Sequence, residues 1–84
     1  MFVEFLGIAR ERSGVSELEL DARTLGQLLE ALPDRLPGLR DVIHDGVLHR
    51  AFSANLNGDV FVSDPGTLLD ASDHLLILSA DVGG

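Results

Sequence analysis

The stretch Thr24-Leu25-Gly26-Gln27-Leu28-Leu29-Glu30-Ala31-Leu32-Pro33 carries the strongest local signal in this chain. Thr24 followed three residues later by Gln27 is a capping-box pattern, in which side chains satisfy backbone amides left free at a helix start. Leu25, Leu28, Leu29 and Leu32 fall at i, i+3, i+4 and i+7, one apolar stripe on a period of about 3.6 residues. Pro33 has no amide hydrogen to continue the ladder, so the pattern predicts a helix ending near Leu32. A helix that is apolar along one side needs a surface to bury it. The flanking segments supply that surface as strands.

Upstream, residues 2–6 read as a first strand, with Val3 and Phe5 on one face and Glu4 and Leu6 on the other. Residues 7–14 read as a polar connection. The run Val15 to Leu20 then alternates, Leu18 and Leu20 inward and Glu17 and Glu19 outward, which closes a hairpin with one solvated face. Downstream, Pro37-Gly38 marks a turn, and Leu39, Val42 and Ile43 suit one or two helical turns that Asp45-Gly46 ends. Ala51 to Leu56 reads as a strand. Asn57-Gly58 follows as a hairpin signal, because both residues tolerate the positive φ of a type I′ turn, and Val60-Phe61-Val62 returns. After Asp64-Pro65-Gly66, the run His74 to Leu78 is continuously apolar beyond its first residue, as a central strand covered on at least one face should be. The order is ββαβββ-like: an α+β domain with one main helix across a mixed sheet of four to five strands.

Composition bounds the function. Eighty-four residues make one domain, and 45% hydrophobic residues with a mean hydropathy of +0.22 suffice for a single core. The absence of cysteine excludes disulfides, thiolate metal sites and a cysteine nucleophile. His44, His49 and His74 have no ligand spacing, so no metal is expected. Six basic against fourteen acidic residues, a formal charge of −8, argue against nucleic acid and against an anionic membrane. The opening Met1 to Leu6 resembles neither a leader nor a membrane span, so a cytoplasmic protein is expected. All six basic residues are arginine. With no lysine, the chain offers no side chain that accepts an isopeptide bond. Neither a nucleophile elbow nor a phosphate-cradling loop is present, and no stand-alone active site is expected.

The chain ends in Ser79-Ala80-Asp81-Val82-Gly83-Gly84. Two glycines without Cβ atoms can thread a narrow channel and bring an unhindered carboxylate to a partner's active site. The residues thus divide into a domain over 1–80 and a tail over 81–84.

Taken together, these segments resemble the MoaD/ThiS group of ubiquitin-like sulfur-carrier proteins, nearer its MoaD side. The resemblance spans the chain: Ala9-Arg10-Glu11 after the first strand, Thr24 to Leu29 at the helix start, and Leu36-Pro37-Gly38-Leu39. It continues through Asn55-Leu56-Asn57-Gly58 and Leu68 to Leu75, and ends at Gly83-Gly84. The chain departs from the group in carrying Ser72-Asp73 where a glycine usually precedes the aspartate, and Ser79-Ala80 where a proline pair is usual. The resemblance implies a β-grasp fold. It also implies that a ubiquitin-activating-type adenylating enzyme, using ATP and magnesium, activates the Gly84 carboxylate. A sulfur donor would convert it to a thiocarboxylate, and a sulfur-accepting synthase subunit or other acceptor would receive the sulfur. The carrier would be a co-substrate with no bound cofactor, not an enzyme. A docking patch on the sheet face away from the helix is implied at Leu6, Val60 and Leu78, with Val82 of the tail. Two other readings stay open: a protein modifier joined through Gly84 to lysines, and a β-grasp interaction module in which the glycines are incidental.

Overall fold

Alternation along the first strand decides the centre of the molecule: Val3 and Phe5 are fully buried, while Phe2 and Leu6 face out. In the computed structural model, which describes residues 1–79, the elements run in order as β1 (Phe2–Phe5), α1 (Ile8–Ser13), β2 (Glu17–Glu19) and α2 (Leu25–Arg35). A 3₁₀ turn (Pro37–Leu39) and a short hairpin of β3 (Ile43–His44) and β4 (Val47–Leu48) follow. Then come β5 (Phe52–Leu56), β6 (Val60–Val62) and β7 (His74–Ser79). Five strands form one mixed sheet in the order β2-β1-β7-β5-β6. β7 is central, parallel to β1 through Phe2↔His74 to Phe5↔Ile77 and antiparallel to β5 through Phe52↔Ser79 to Leu56↔Leu75. This is the α+β fold with one main helix that the pattern predicts.

The helix stripe is buried as its spacing requires. Leu25, Leu28 and Leu32 have no exposed surface and Leu29 has almost none. They pack with Val3, Phe5, Ala54, Leu75 and Ile77 in one core. Thr24 caps the helix, its Oγ1 accepting from the Gln27 amide at 3.2 Å, and the Gln27 side chain accepts from the Arg23 amide at 3.1 Å. Truncating one of these leucines removes both the transfer energy and the packing around it, typically about 2–5 kcal/mol.

Three expectations are corrected. α2 does not stop at Leu32 but continues through Pro33 to Arg35. Proline removes only one ladder bond there. The turn beyond it is held by the Leu36 amide donating to the Leu32 carbonyl at 2.7 Å and by burial of Leu36. Residues 8–13 are helical where a polar connection was expected. A six-residue helix is too short to display a period, and this one is set by Gly7 at φ 58° before it, Gly14 at φ 80° after it and burial of Ala9. Ile43 lies in a strand, not in a helical turn. Asp45 (φ 51°) and Gly46 (φ 73°) turn β3 back on β4, because consecutive positive-φ residues form a hairpin turn as well as end a helix.

At the end of the sheet where β1 and β7 begin, a side-chain clamp joins two loops. Asp73 accepts from the Asn57 amide group at 2.9 Å and from the Asp70 backbone amide at 2.7 Å, and Asn57 Oδ1 accepts from the His74 amide at 2.8 Å. The Asn57 bond first, and the Asp70 amide second, hold the Asp73 carboxyl below its ordinary pKa. A carboxylate depressed in the folded state adds stability above the unfolded value of about 3.9, and that stability is lost as pH falls through the folded value. Asp73→Ala is therefore expected to lower stability at neutral pH by up to about 1 kcal/mol through the two lost hydrogen bonds, with the gap to the parent shrinking as the pH falls below about 3.9. Urea unfolding across that range measures it; a pH-independent gap would contradict this role for the charge.

Candidate functional site

The expected reactive residues, Gly83 and Gly84, and the tail residue Val82 lie outside the described residues, as does the 80/81 boundary between domain and tail. What the structure places is the point from which they depart. β7 ends at Ser79, which is buried and opposite Phe52 of β5, so the last strand is held by β5 up to its final residue and by β1 as far as Ile77. A depression of about 280 Å³ lies beside this point, with Ile8, Arg12, Val42, His49, Phe52 and Ser79 among its lining residues. His49 is oriented within it, its Nδ1 accepting from the Ala51 backbone amide at 3.0 Å and its ring edge-on to Phe52.

The sheet face away from α2 is read from the strand register. Partners across a ladder share a face. Glu17, Glu4, Leu76, Asn55 and Phe61 therefore form one row, and Glu19, Phe2 and His74 another. Leu78, opposite Ser53, stands in the same phase, and Leu6 follows β1 beside it, its amide donating to the Ile77 carbonyl at 3.0 Å. Leu6 is 39% exposed, Phe2 47% and Phe61 65%, while Leu76 and Leu78 are half-buried. The result is an apolar patch bordered on the β2 side by carboxylates. Glu17 and Glu4 stand directly opposite each other, an unfavourable pairing of like charges. Glu4 also takes a hydrogen bond from His74 Nε2 at 3.0 Å, and the His74 ring lies 6.5 Å from that of Phe2.

Of the expected patch residues, the register brings Leu6 and Leu78 together and separates Val60 from both. A two-residue Asn57-Gly58 turn would have paired Asn55 with Val60 and set Val60 on the outward face. The two residues do take positive φ, 59° and 69°, and Asp59 donates to the Leu56 carbonyl at 3.0 Å. Yet Leu56 pairs with Val60, which leaves Asp59 as an extra loop residue. A one-residue slip transfers every side chain of a strand to the other face. Val60, although 51% exposed, is thus in phase with Leu56 and Leu75 on the helix side, and Phe61 takes the outward position. Phe61, Leu76 and Phe2 are the patch residues that the sequence reading missed. Alternation along β1 reaches Phe2 and alternation along β7 reaches Leu76, but Phe61 depends on the hairpin length.

Among the described residues, no group of three or more histidine or carboxylate side chains is placed to hold a metal ion, and no helix is long and apolar enough to cross a membrane.

The central parallel pair, the single crossing helix and the exit of the chain from a central strand define a β-grasp, ubiquitin-like protein. No protein-family model matches the sequence, and no curated protein does either. Solved structures do. Small archaeal modifier protein 1 (SAMP1) from Haloferax volcanii aligns over 100% of this chain and 98% of its own, with a TM-score of 0.82 and 26% identity. A chain of the BexX/CysO complex from Amycolatopsis orientalis aligns over 99% of this chain and 98% of its own, with a TM-score of 0.78 and 24% identity. A putative molybdopterin converting factor subunit 1 from Pyrococcus furiosus aligns over 93% of each chain, with a TM-score of 0.74 and 20% identity. The chain shares the ubiquitin-like fold of these neighbours, among which are proteins called a small archaeal modifier, CysO and a molybdopterin converting factor subunit.

For a partner that binds through the outward face, Leu78→Asp and Phe61→Asp are expected to weaken affinity about tenfold or more, as buried apolar anchors do. Val60→Asp, in the opposite phase, should change it less than about twofold. Titration calorimetry separates the two; loss at Val60 with none at Phe61 would assign the docking to the helix side.

Proposed function

We propose that this chain is a sulfur carrier whose working group is the Gly84 carboxylate, delivered to partner enzymes by the residues beyond Ser79. The observation that carries this reading is the pairing of Ser79 with Phe52, which anchors a central strand to its last residue, five residues before Gly84. Five residues can reach at most about 17 Å from that anchor, so the partner's active site must come to the end of the sheet. The outward patch around Leu6, Leu78 and Phe61 supplies a surface on which such a partner would rest.

The chemistry runs in balanced steps. A carboxylate is a poor electrophile until its oxygen leaves easily. Attack of Gly84 on the α-phosphorus of ATP, in an adenylating enzyme that holds the magnesium, gives an acyl-adenylate and expels pyrophosphate. The terminal sulfur of a persulfide donor displaces AMP, and a thiol cleaves the resulting acyl disulfide to leave the thiocarboxylate. That sulfur is a good nucleophile for an acceptor bound to a synthase subunit, molybdopterin-type or related. The complex in which BexX and CysO occur together is consistent with a carrier that works through a partner enzyme.

A second reading is favoured by the likeness to a protein called a small archaeal modifier. The same acyl-adenylate could pass Gly84 to a lysine of another protein. With no lysine of its own, this chain would be joined to targets and never to a second copy through a side chain.

Intact-mass spectrometry after incubation with an adenylating partner, ATP, magnesium and a sulfur donor tests the proposal. The expected result is a gain matching one oxygen replaced by sulfur, abolished by deleting Gly83 and Gly84, with the fold unchanged by circular dichroism. Covalent adducts with other proteins in place of the sulfur gain would establish the modifier. Neither product, with the partner shown to be active, would leave an interaction module.

A further inference from the structure

The chain holds six arginines and fourteen carboxylates, yet among the described residues no arginine forms an ion pair; the pairs found there are the Met1 amine with Asp21 and His74 with Glu4. Four of the six arginines stand at one end of the sheet; Arg23 precedes α2 and Arg35 is its last residue. β1 and β7 run parallel, so both finish at the same end of the sheet. Arg10 and Arg12 lie on α1, which begins just past the end of β1 and packs against β7. Gly38 sits against the backbone carbonyl of Arg12, so close that a Cβ would collide with it, and this brings the 3₁₀ turn and Arg40 to the same end. Arg50 stands in the loop entering β5, where the His49 amide donates to the Val42 carbonyl at 2.7 Å and Phe52 faces Ser79. All four arginines are exposed. Among the described residues, Glu11 and Asp41 stand with them, Asp41 in the lining of the depression, fewer than the cations they accompany. The other end of the sheet is acidic: Glu19 is opposite Phe2, Asp21 is on the Met1 amine, Asp70 and Asp73 are in the loop before His74, and Asp59 is in the hairpin.

We propose that this arginine collar, with the depression lined by Ile8, Val42 and Phe52, is a docking surface for an acidic protein surface bordering the entrance to the site that receives Gly84. The proposal rests on the carrier reading and adds to it the chemistry of the partner. Arginine forks match carboxylates two bonds at a time, and among the described residues no carboxylate pairs with them. The depression, beside an Ile8 that is 47% exposed, suits an apolar side chain next to those carboxylates. A polyphosphate chain offers no such side chain and meets a molecule of net charge −8. The cluster of arginines at this end within a molecule of net charge −8 favours this orientation for an acidic partner.

Two measurements test it. In the first, ¹⁵N-labelled protein is titrated with a peptide alternating glutamate and leucine, with the lysine–leucine counterpart, and with oligouridine RNA. The glutamate peptide is expected to shift amides in residues 8–13, 38–42 and 48–52, and added salt should reverse the shifts. No response in these segments, or RNA shifting them at lower concentration than the peptide, would overturn the assignment. In the second, Arg12→Glu and Arg23→Glu, which change net charge equally, are compared in binding to the adenylating partner. Arg12→Glu should weaken binding about tenfold and flatten its salt dependence, while Arg23→Glu, before α2, stays within about twofold. Equal effects would mean that net charge, not the collar, matters. The peptide titration needs no enzyme, so it decides the collar even where the carrier reading fails.

Discussion

The parallel pairing of β1 with β7 is the constraint on which the rest of this molecule depends. It places the first and last strands side by side in the middle of the sheet, and a parallel pair of this kind must be buried on at least one face. The leucine stripe of α2 provides that cover. Val3, Phe5, Leu75 and Ile77 then pack against Leu25, Leu28 and Leu32 with no appreciable exposure. Because β7 is held by β1 on one side and β5 on the other, the chain leaves the sheet from a position that the core determines. Loop conformation has no part in it. The sulfur carrier proposed above would gain from such an origin, since error at the base of a short segment is carried to its end.

One extra residue decides which side chains that second protein would meet. Asp59 in the hairpin shifts β6 by a single position, so Phe61 joins Leu6, Leu76 and Leu78 outside and Val60 turns toward the helix side. The exchange costs little in the core, because β6 lies at the sheet edge and its residues are at most half-buried. Nothing in burial energy forces either register as strongly as it forces β1 and β7. Edge strands are where hydrophobic patterning specifies register least.

The charge distribution follows the same axis. Helix α1 and the 3₁₀ turn bring arginines to the end where β1 and β7 finish, while the clamp of Asn57, Asp70 and Asp73 holds acidic residues at the end where they begin. A formal charge of −8 therefore describes the molecule poorly at close range. A partner approaching the end where β1 and β7 finish meets guanidinium groups, and one approaching the other end meets carboxylates.

Much of this was legible in the linear sequence, for physical reasons that apply locally. The period of Leu25, Leu28, Leu29 and Leu32, the Thr24 cap, the alternation of β1 and the apolar run of β7 are each statements about one element. A helix or strand declares its buried side through its own spacing. From these came the α+β class, the single helix across the sheet, and the outward phase of Leu6 and Leu78. What only the tertiary structure decided involves contacts between elements. The six residues of α1 fold because Ala9 is buried and Gly38 closes on Arg12, and neither fact has a period. Leu36 carries α2 past Pro33 because a buried side chain outweighs one missing bond. Phe61 replaces Val60 because a hairpin's register is settled by the residues actually accommodated in its loop, and four distant arginines reach one end of the sheet because α1 follows β1, Gly38 packs on Arg12 and β5 pairs with β7. Local propensity sees neighbours along the chain; register and charge clustering depend on neighbours across it.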